Sequence, residues 1–383
     1  MTKKVLKRSL GIICMIAAVW ASVWVLEEFV TRRYDLEGLN LQGYYEEDHG
    51  TIDVVIMGAS EITQGFAAPE IYKNFGFTSA PFAFTVNPVP LWKYELRDIE
   101  RTQNPELLIV EINGCTYLEN KYIHRRSAYD RLAECMPFSM VKVNMIREMS
   151  DDTADAIETF FPICKYHENW SEFPQDDVLD KMFMMKNGHA ILRGSQSNMY
   201  RDKIKEYPYY PTEEEMMELN PDAEEALRDF LEECKKSSIK NILFVCYPHI
   251  MSQKKYYQRQ MRCNYAGQII REAGFDYVDF DRKTKEIGLT KEDFFDDHHM
   301  LATGQRMFSN YLGEYIQKKY DLKPTQLSEK DKAEWEESVV YNDRLYRYFD
   351  AYMKAHADDP YTKHEFKLRD RRRPIRALSE MDD

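Results

Sequence analysis

Four short apolar runs, each closed by a turn and separated from the next by helical periodicity, limit how this chain can fold. They are Ile52-Asp53-Val54-Val55-Ile56-Met57, Leu107-Leu108-Ile109-Val110-Glu111-Ile112, Ile242-Leu243-Phe244-Val245-Cys246-Tyr247 and, as a short final strand interrupted by two aspartates, the stretch from Phe275 to Phe280. Runs that are continuously apolar, rather than alternating, belong to strands covered on both faces. Strands of that kind interleaved with helices pair in parallel, because each crossover helix packs back onto the sheet. The expected fold class is α/β: a three-layer α/β/α sandwich with a mainly parallel sheet and a helical insertion.

The first run ends at Gly58-Ala59-Ser60. A short helix opened by Pro69 follows, carrying Ile71 and Phe75. Pro90 opens the next helix, with Leu91, Leu96 and Ile99 toward the core, and Asn104-Pro105 ends it. The second run ends in Asn113-Gly114. From Cys115 to about Ser238 the periodicity is helical and irregular, with many aromatics and methionines, which reads as an insertion or cap. Within it Phe183-Met184-Met185 and Tyr209-Tyr210 are read as a groove lining or as ordinary packing, and Glu213 to Lys236 as a charged amphipathic helix.

A helix from Gln253 to Ala273 precedes the last strand. The loop Asp293-Phe294-Phe295-Asp296-Asp297-His298-His299 follows it, and Gly304 leads into a helix with Met307, Phe308, Leu312 and Ile316 on one face. The catalytic domain is expected over 45–320, with the insertion at about 115–238. Residues 321–383 add a helix from Glu329 to Lys354, with Trp335, Val339, Leu345 and Phe349 spaced for packing, and a solvated basic tail from Lys367 to Arg376.

Lys3, Lys4, Lys7 and Arg8 precede an uncharged, mostly apolar run from Leu10 to Leu26, and Glu27 and Glu28 follow it. Large residues such as Trp24 and Leu26 stand after any small-residue cleavage point, so residues 1–30 read as an uncleaved signal-anchor. Positive-inside bias places the remainder outside the cytoplasm as a single-pass membrane protein. A cleaved signal peptide and a buried helix are the competing readings. The net charge of -13 leaves no basic field for a phosphate backbone, so no nucleic-acid partner is expected. The seven cysteines fall at irregular spacings without C-x-x-C pairs, and no metal is expected. No Gly-Lys-Ser/Thr and no dinucleotide glycine triplet follows a strand, and no cofactor is expected.

A serine at the carboxyl end of a first parallel strand stands where such sheets hold their ligands. Its hydroxyl needs a base to act as a nucleophile, and the base needs an orienting group. Asp296 and His299, spaced D-x-x-H in one loop, are the candidates, with His298 as the rival base. Donors for a developing oxyanion are sought in the Ser60 amide and Asn113, with Asn87 the alternative.

In these blocks the chain resembles the SGNH/GDSL-type hydrolases. The matching residues are Gly58-Ala59-Ser60, Asn113-Gly114, and Asp296-Asp297-His298-His299 with Gly304, and the resemblance spans about residues 50 to 318. It implies an SGNH/flavodoxin-like sheet, Ser60 as nucleophile, Asp296 and His299 completing a triad, and Asn113 helping to hold the oxyanion. With the amino-terminal anchor, the chain looks most like the membrane-anchored members: the esterase-like protein of teichoic-acid D-alanylation and the acetyltransferase-like proteins that modify alginate or peptidoglycan. Three departures stand out. The serine block has alanine where many members have aspartate, Glu61 places a carboxylate beside the nucleophile, and no oxyanion glycine aligns between Ser60 and Asn113.

The resemblance implies a serine esterase or O-acyltransferase that modifies a cell-surface polysaccharide or teichoic-acid-like polymer, with a multi-span membrane acyltransferase as its partner. The alternative is a catalytically inactive binding or scaffold protein that keeps the fold.

Overall fold

The computed structural model describes residues 3–30, 36–165, 191–195 and 204–355. Its centre is a five-stranded sheet, parallel throughout, formed by β1 (Val54–Gly58), β2 (Ser79–Ala83), β3 (Leu107–Glu111), β4 (Asn241–Cys246) and β5 (Asp276–Asp279) in the spatial order β2-β1-β3-β4-β5. β1 and β3 are wholly buried, as their unbroken apolar sequences require.

β2 has no counterpart among the four sequence runs. Its residues, Ser79-Ala80-Pro81-Phe82-Ala83, are mostly small and contain a proline, which strand patterns exclude from a sheet interior. The sheet tolerates it because β2 is an edge strand and loses no second ladder. That edge is covered by α2 (Leu36–Glu46), whose Tyr44 packs edge-on against Phe82 at 4.9 Å between ring centroids.

The connection from β1 to β2 runs one way along the sheet and all later connections run the other way. Right-handed crossovers therefore put helices on both faces. On one face α3 (Ser60–Gly65) and α4 (Ala68–Phe75) pack against α14 (Ala302–Lys319). On the other, α5 (Trp92–Thr102) packs against α11 (Pro221–Cys234), and α12 (Lys254–Glu272) packs against β5. This is the expected three-layer α/β/α arrangement, and the strand order is that of flavodoxin-like sheets. The order reverses between β1 and β3, so the crevice that ligands use in such sheets opens at the carboxyl ends of those two strands.

Among its described residues the insertion carries α6 (Asn120–Ile123), α7 (Arg126–Cys135), α8 (Met140–Met149), α9 (Thr153–Phe160) and α10 (Pro162–Lys165), and α11 follows it. α11 starts later than the expected Glu213. Asn220 caps it, its side chain accepting from the Asp222 amide, and Pro221 occupies the first turn. Phe183-Met184-Met185 and the Lys367-to-Arg376 stretch lie outside the described residues.

Beyond α13 (Thr284–Ile287) and α14, α15 (Glu329–Ala355) lies on α4. Trp335 is buried and stacks at 5.0 Å on Tyr72, while Leu345 and Phe349 join Tyr341, Tyr346 and Ala67 in a second small core. Val339 is only half-buried.

The amino-terminal run belongs to α1 (Lys3–Val30). Leu10, Ile12, Ile13, Met15, Ile16 and Val19 are between 55% and 61% exposed. Among the described residues no helix is long and apolar enough to cross a membrane, and the side chains of Leu6 and Trp24 lie outside those residues.

Candidate active site

The first turn of α3 follows β1 after a single extended residue, Ala59, so Ser60 stands at the carboxyl edge of the sheet beside the switch point. Glycine is required just before it. A Cβ on Gly58 would come within 2.8 Å of the Glu111 Cβ on the neighbouring strand and 2.7 Å of Ile62.

The D-x-x-H loop is held over the same edge by three devices. Phe294 and Met300, both buried, pair across it as an antiparallel bridge, with the Phe295 amide donating to the His299 carbonyl at 2.8 Å. The Ile250 amide, just past β4, donates to the Asp297 carbonyl at 2.7 Å. Gly304 lets α14 close on the loop, since a Cβ there would lie 2.5 Å from the Asp293 carbonyl oxygen.

These constraints bring Ser60, His299 and Asp296 into one hydrogen-bonded line. Asp296 Oδ2 accepts from His299 Nδ1 at 2.7 Å, so Nε2 is the free lone pair, and the Ser60 hydroxyl donates to it at 2.8 Å. Asp296 Oδ1 also accepts the backbone amides of His298 at 3.0 Å and His299 at 2.8 Å. Burial pushes the Asp296 carboxyl up, but the hydrogen bond from His299 and the two nearby imidazoles hold it below the ordinary carboxylate range. It is therefore an anion at neutral pH, suited to fix the tautomer and stabilise an imidazolium.

The Ser60 hydroxyl bonds to His299 and not to His298. The His298 Nδ1 donates to Asp297 Oδ1 at 2.8 Å, a shorter contact than the 3.4 Å to Asp296, and its ring stacks on His299 with centroids 4.0 Å apart. Asp297 also accepts the Ser252 hydroxyl at 2.7 Å and the Tyr256 phenol, and these bonds, with that from His298, outweigh burial and depress its pKa well below the ordinary range. Burial lowers the His298 pKa, yet the Asp297 hydrogen bond and the carboxylates of Glu61 and Asp296 bring a net rise.

Asp296, His298 and His299 offer ligand atoms within 4.8 Å of one another, which could gather a cation. Both ring nitrogens of His299, however, are already engaged by Asp296 and Ser60.

The three expected oxyanion donors differ in placement. The Ser60 amide is the first of α3, a position without an intrahelical acceptor. Asn113, past β3 on the other side of the switch point, donates from Nδ2 to Glu61 and accepts on Oδ1 from Arg259 Nε at 2.8 Å. The expectation for Asn87 is corrected. It is fully buried, and its two amide hydrogens go to the Gly58 carbonyl at 3.1 Å and to Glu95 at 2.9 Å, so it braces the strand end instead of facing a substrate.

That brace has a pH signature. Burial pushes Glu95 from 4.5 up to about 8, against the Asn87 hydrogen bond. A carboxyl raised in the fold contributes stability that is full below the unfolded value and lost as pH rises through the folded one, here between about 4.5 and about 8. Glu95→Gln keeps the acceptor for Asn87 without the charge. Denaturant midpoints should show it increasingly more stable than wild type across that window; a constant difference would refute the assignment.

Two residues of the polar network at this site were given no role there by the sequence patterns. Glu61, the departure beside the nucleophile, is buried and points into a polar network with Asn113 and Arg259. Arg259 itself is buried, donates to His249 Nε2, and stands 4.0 Å from Glu111, whose pKa burial and the nearby Glu61 push well up. The His249 amide in turn donates to Asp281 at 2.8 Å, and Asp281 also accepts the phenol of Tyr210, whose side chain is otherwise exposed. The available signal was helical spacing. Arg259 shares the buried stripe of α12 with Cys263, Ala266 and Ile270, an inward position where an unpaired charge is not tolerated.

No family model matches the chain, and no curated protein matches it. What the chain does has to be read from the chemistry of the site.

Proposed function

We propose that this chain is a membrane-anchored serine esterase or O-acyltransferase of the SGNH/GDSL type, acting outside the cytoplasm on ester groups of cell-surface glycopolymers. The observation that carries the reading is the unbroken line from Asp296 through His299 to the Ser60 hydroxyl at the switch point of the sheet. The apolar run of α1, with its basic flank, supports attachment to a membrane. A polysaccharide or teichoic-acid-like substrate and a multi-span acyltransferase partner follow from the resemblance alone.

In the reaction, His299 Nε2 takes the Ser60 proton as Oγ attacks the ester carbonyl carbon. Asp296 stabilises the imidazolium formed. The Ser60 amide and the Asn113 amide hydrogen not given to Glu61 serve as oxyanion donors, each worth about 3 kcal/mol. The intermediate collapses as His299 returns the proton to the departing alkoxide, leaving acyl-Ser60. Water or a sugar hydroxyl then gives its proton to His299, attacks the acyl carbon and regenerates the Ser60 hydroxyl.

The scaffold reading has one observation in its favour: Glu61 engages the Asn113 amide and places a carboxylate where negative charge develops. Full-length protein in detergent, given p-nitrophenyl acetate and an oligosaccharide acceptor, separates the two. The enzyme releases nitrophenolate above background and acetylates the sugar or forms acetate. A rate equal to background leaves the scaffold.

A further inference from the structure

Apart from α1, the two most exposed large apolar side chains among the described residues are Phe138 at 69% and Met140 at 67%, where α8 begins, and Ile157 on the neighbouring α9 is 51% exposed. Aromatic rings connect this patch to α1 without a break. Phe138 packs edge-on against Phe160 at 6.0 Å, Phe160 against Phe161 at 5.0 Å, and Phe161 against Trp20 of α1 at 5.8 Å. α1 itself packs against α10 beside these rings.

We propose that the α8–α9 edge of the insertion docks into a lipid bilayer surface, through Phe138, Met140 and Ile157 acting with α1. The proposal rests on reading residues 10–26 as lipid-embedded, and it adds a second point of contact to that anchor. Continuity names the occupant, because the ring series makes one apolar surface of the patch and α1, and whatever covers the uncharged α1 run also covers its extension. Depth agrees as well. Trp20 precedes Glu27 by about 10 Å of helical rise, within the roughly 5–10 Å that interfacial apolar groups penetrate. Aromatic side chains at this level match the preference of such rings for the membrane interface. Two contacts fix orientation where one helix leaves the domain free to swing, so docking would hold the Ser60 crevice at a set attitude to the membrane.

The test uses the full chain in dioleoyl-phosphatidylcholine liposomes, with the photoreactive analogue benzoyl-phenylalanine incorporated in turn at Phe138, Ile157, Val19 and Val340. All four sites are exposed in the fold, so the analogue displaces no core. Lipid adducts at Phe138, Ile157 and Val19, several-fold above the yield at Val340 on α15, are expected. Adducts at Val19 alone overturn docking while leaving the anchor intact. Adducts at none of the sites overturn the anchor and docking together. Crosslinking of Phe138 to a second copy of the chain in place of lipid also overturns the proposal.

Discussion

Ser60→Ala is expected to lower p-nitrophenyl acetate hydrolysis by about 10⁴-fold or more, a loss of about 5 kcal/mol of transition-state stabilisation, while leaving the fold intact. The size follows from the unit the three residues form: without Oγ, the imidazole has no proton to take and no acyl intermediate exists. The substitution is structurally mild, because Ala59 and not Ser60 is the N-cap of α3, and the Ser60 hydroxyl is bonded to His299. His299→Gln should cost nearly as much, and the double variant hardly more than either, since groups that act on one proton are not additive. Steady-state rates with matched circular dichroism spectra would check this. Equal rates in wild type and Ser60→Ala would assign any observed hydrolysis to other groups.

Arg259→Ala is expected to destabilise the protein by about 3–5 kcal/mol, the cost of removing one partner from a buried charged network. The guanidinium donates to Asn113 and to His249 and faces Glu111, so its loss leaves the buried Glu61 and Glu111 carboxyls without their neighbouring cation and takes a donor from Asn113 and from His249. Asn113 would also lose its anchor at 2.8 Å, and the rate constant should fall with little change in KM, because the amide acts on charge that develops in the transition state. Urea denaturation of the full chain in detergent measures the first effect. A cost below about 1 kcal/mol, the level of exposed ion pairs, would contradict the network.

How far each feature could be read from sequence depended on whether its cause was local. The central strands announced themselves because a strand buried on both faces admits almost only apolar residues, as in Val54 to Met57 and Leu107 to Val110. Ser60 and the D-x-x-H loop were legible for a related reason: each stands at a strand end or in a loop between regular elements, where chemistry-bearing residues are not packing. β2 was hidden by Pro81, since an edge position exists only once the sheet is assembled. The choice between His298 and His299 rests on which ring the bridge between Phe294 and Met300 turns toward Ser60, and spacing alone could only favour one. Of the two asparagines, the sequence ranked Asn113 ahead of Asn87 because it follows a core strand, without showing what either would touch. Asn87 became a brace because Glu95 faces it across a turn of helix, and Asn113 joined the site because β3 ends beside β1. Arg259 is the furthest case, since its partners Asn113 and Glu111 lie far away along the chain, Asn113 by 146 residues.

The central claim is that an imidazole from residue 299 activates the hydroxyl at residue 60. The most direct measurement is intact-mass and peptide mapping after treating the folded chain with a fluorophosphonate, which phosphonylates only a serine whose proton has a base to go to. The account predicts a single adduct on Ser60, formed in wild type and lost in His299→Gln. A folded wild-type chain that never labels at Ser60, or labels there equally well without the imidazole, would contradict it.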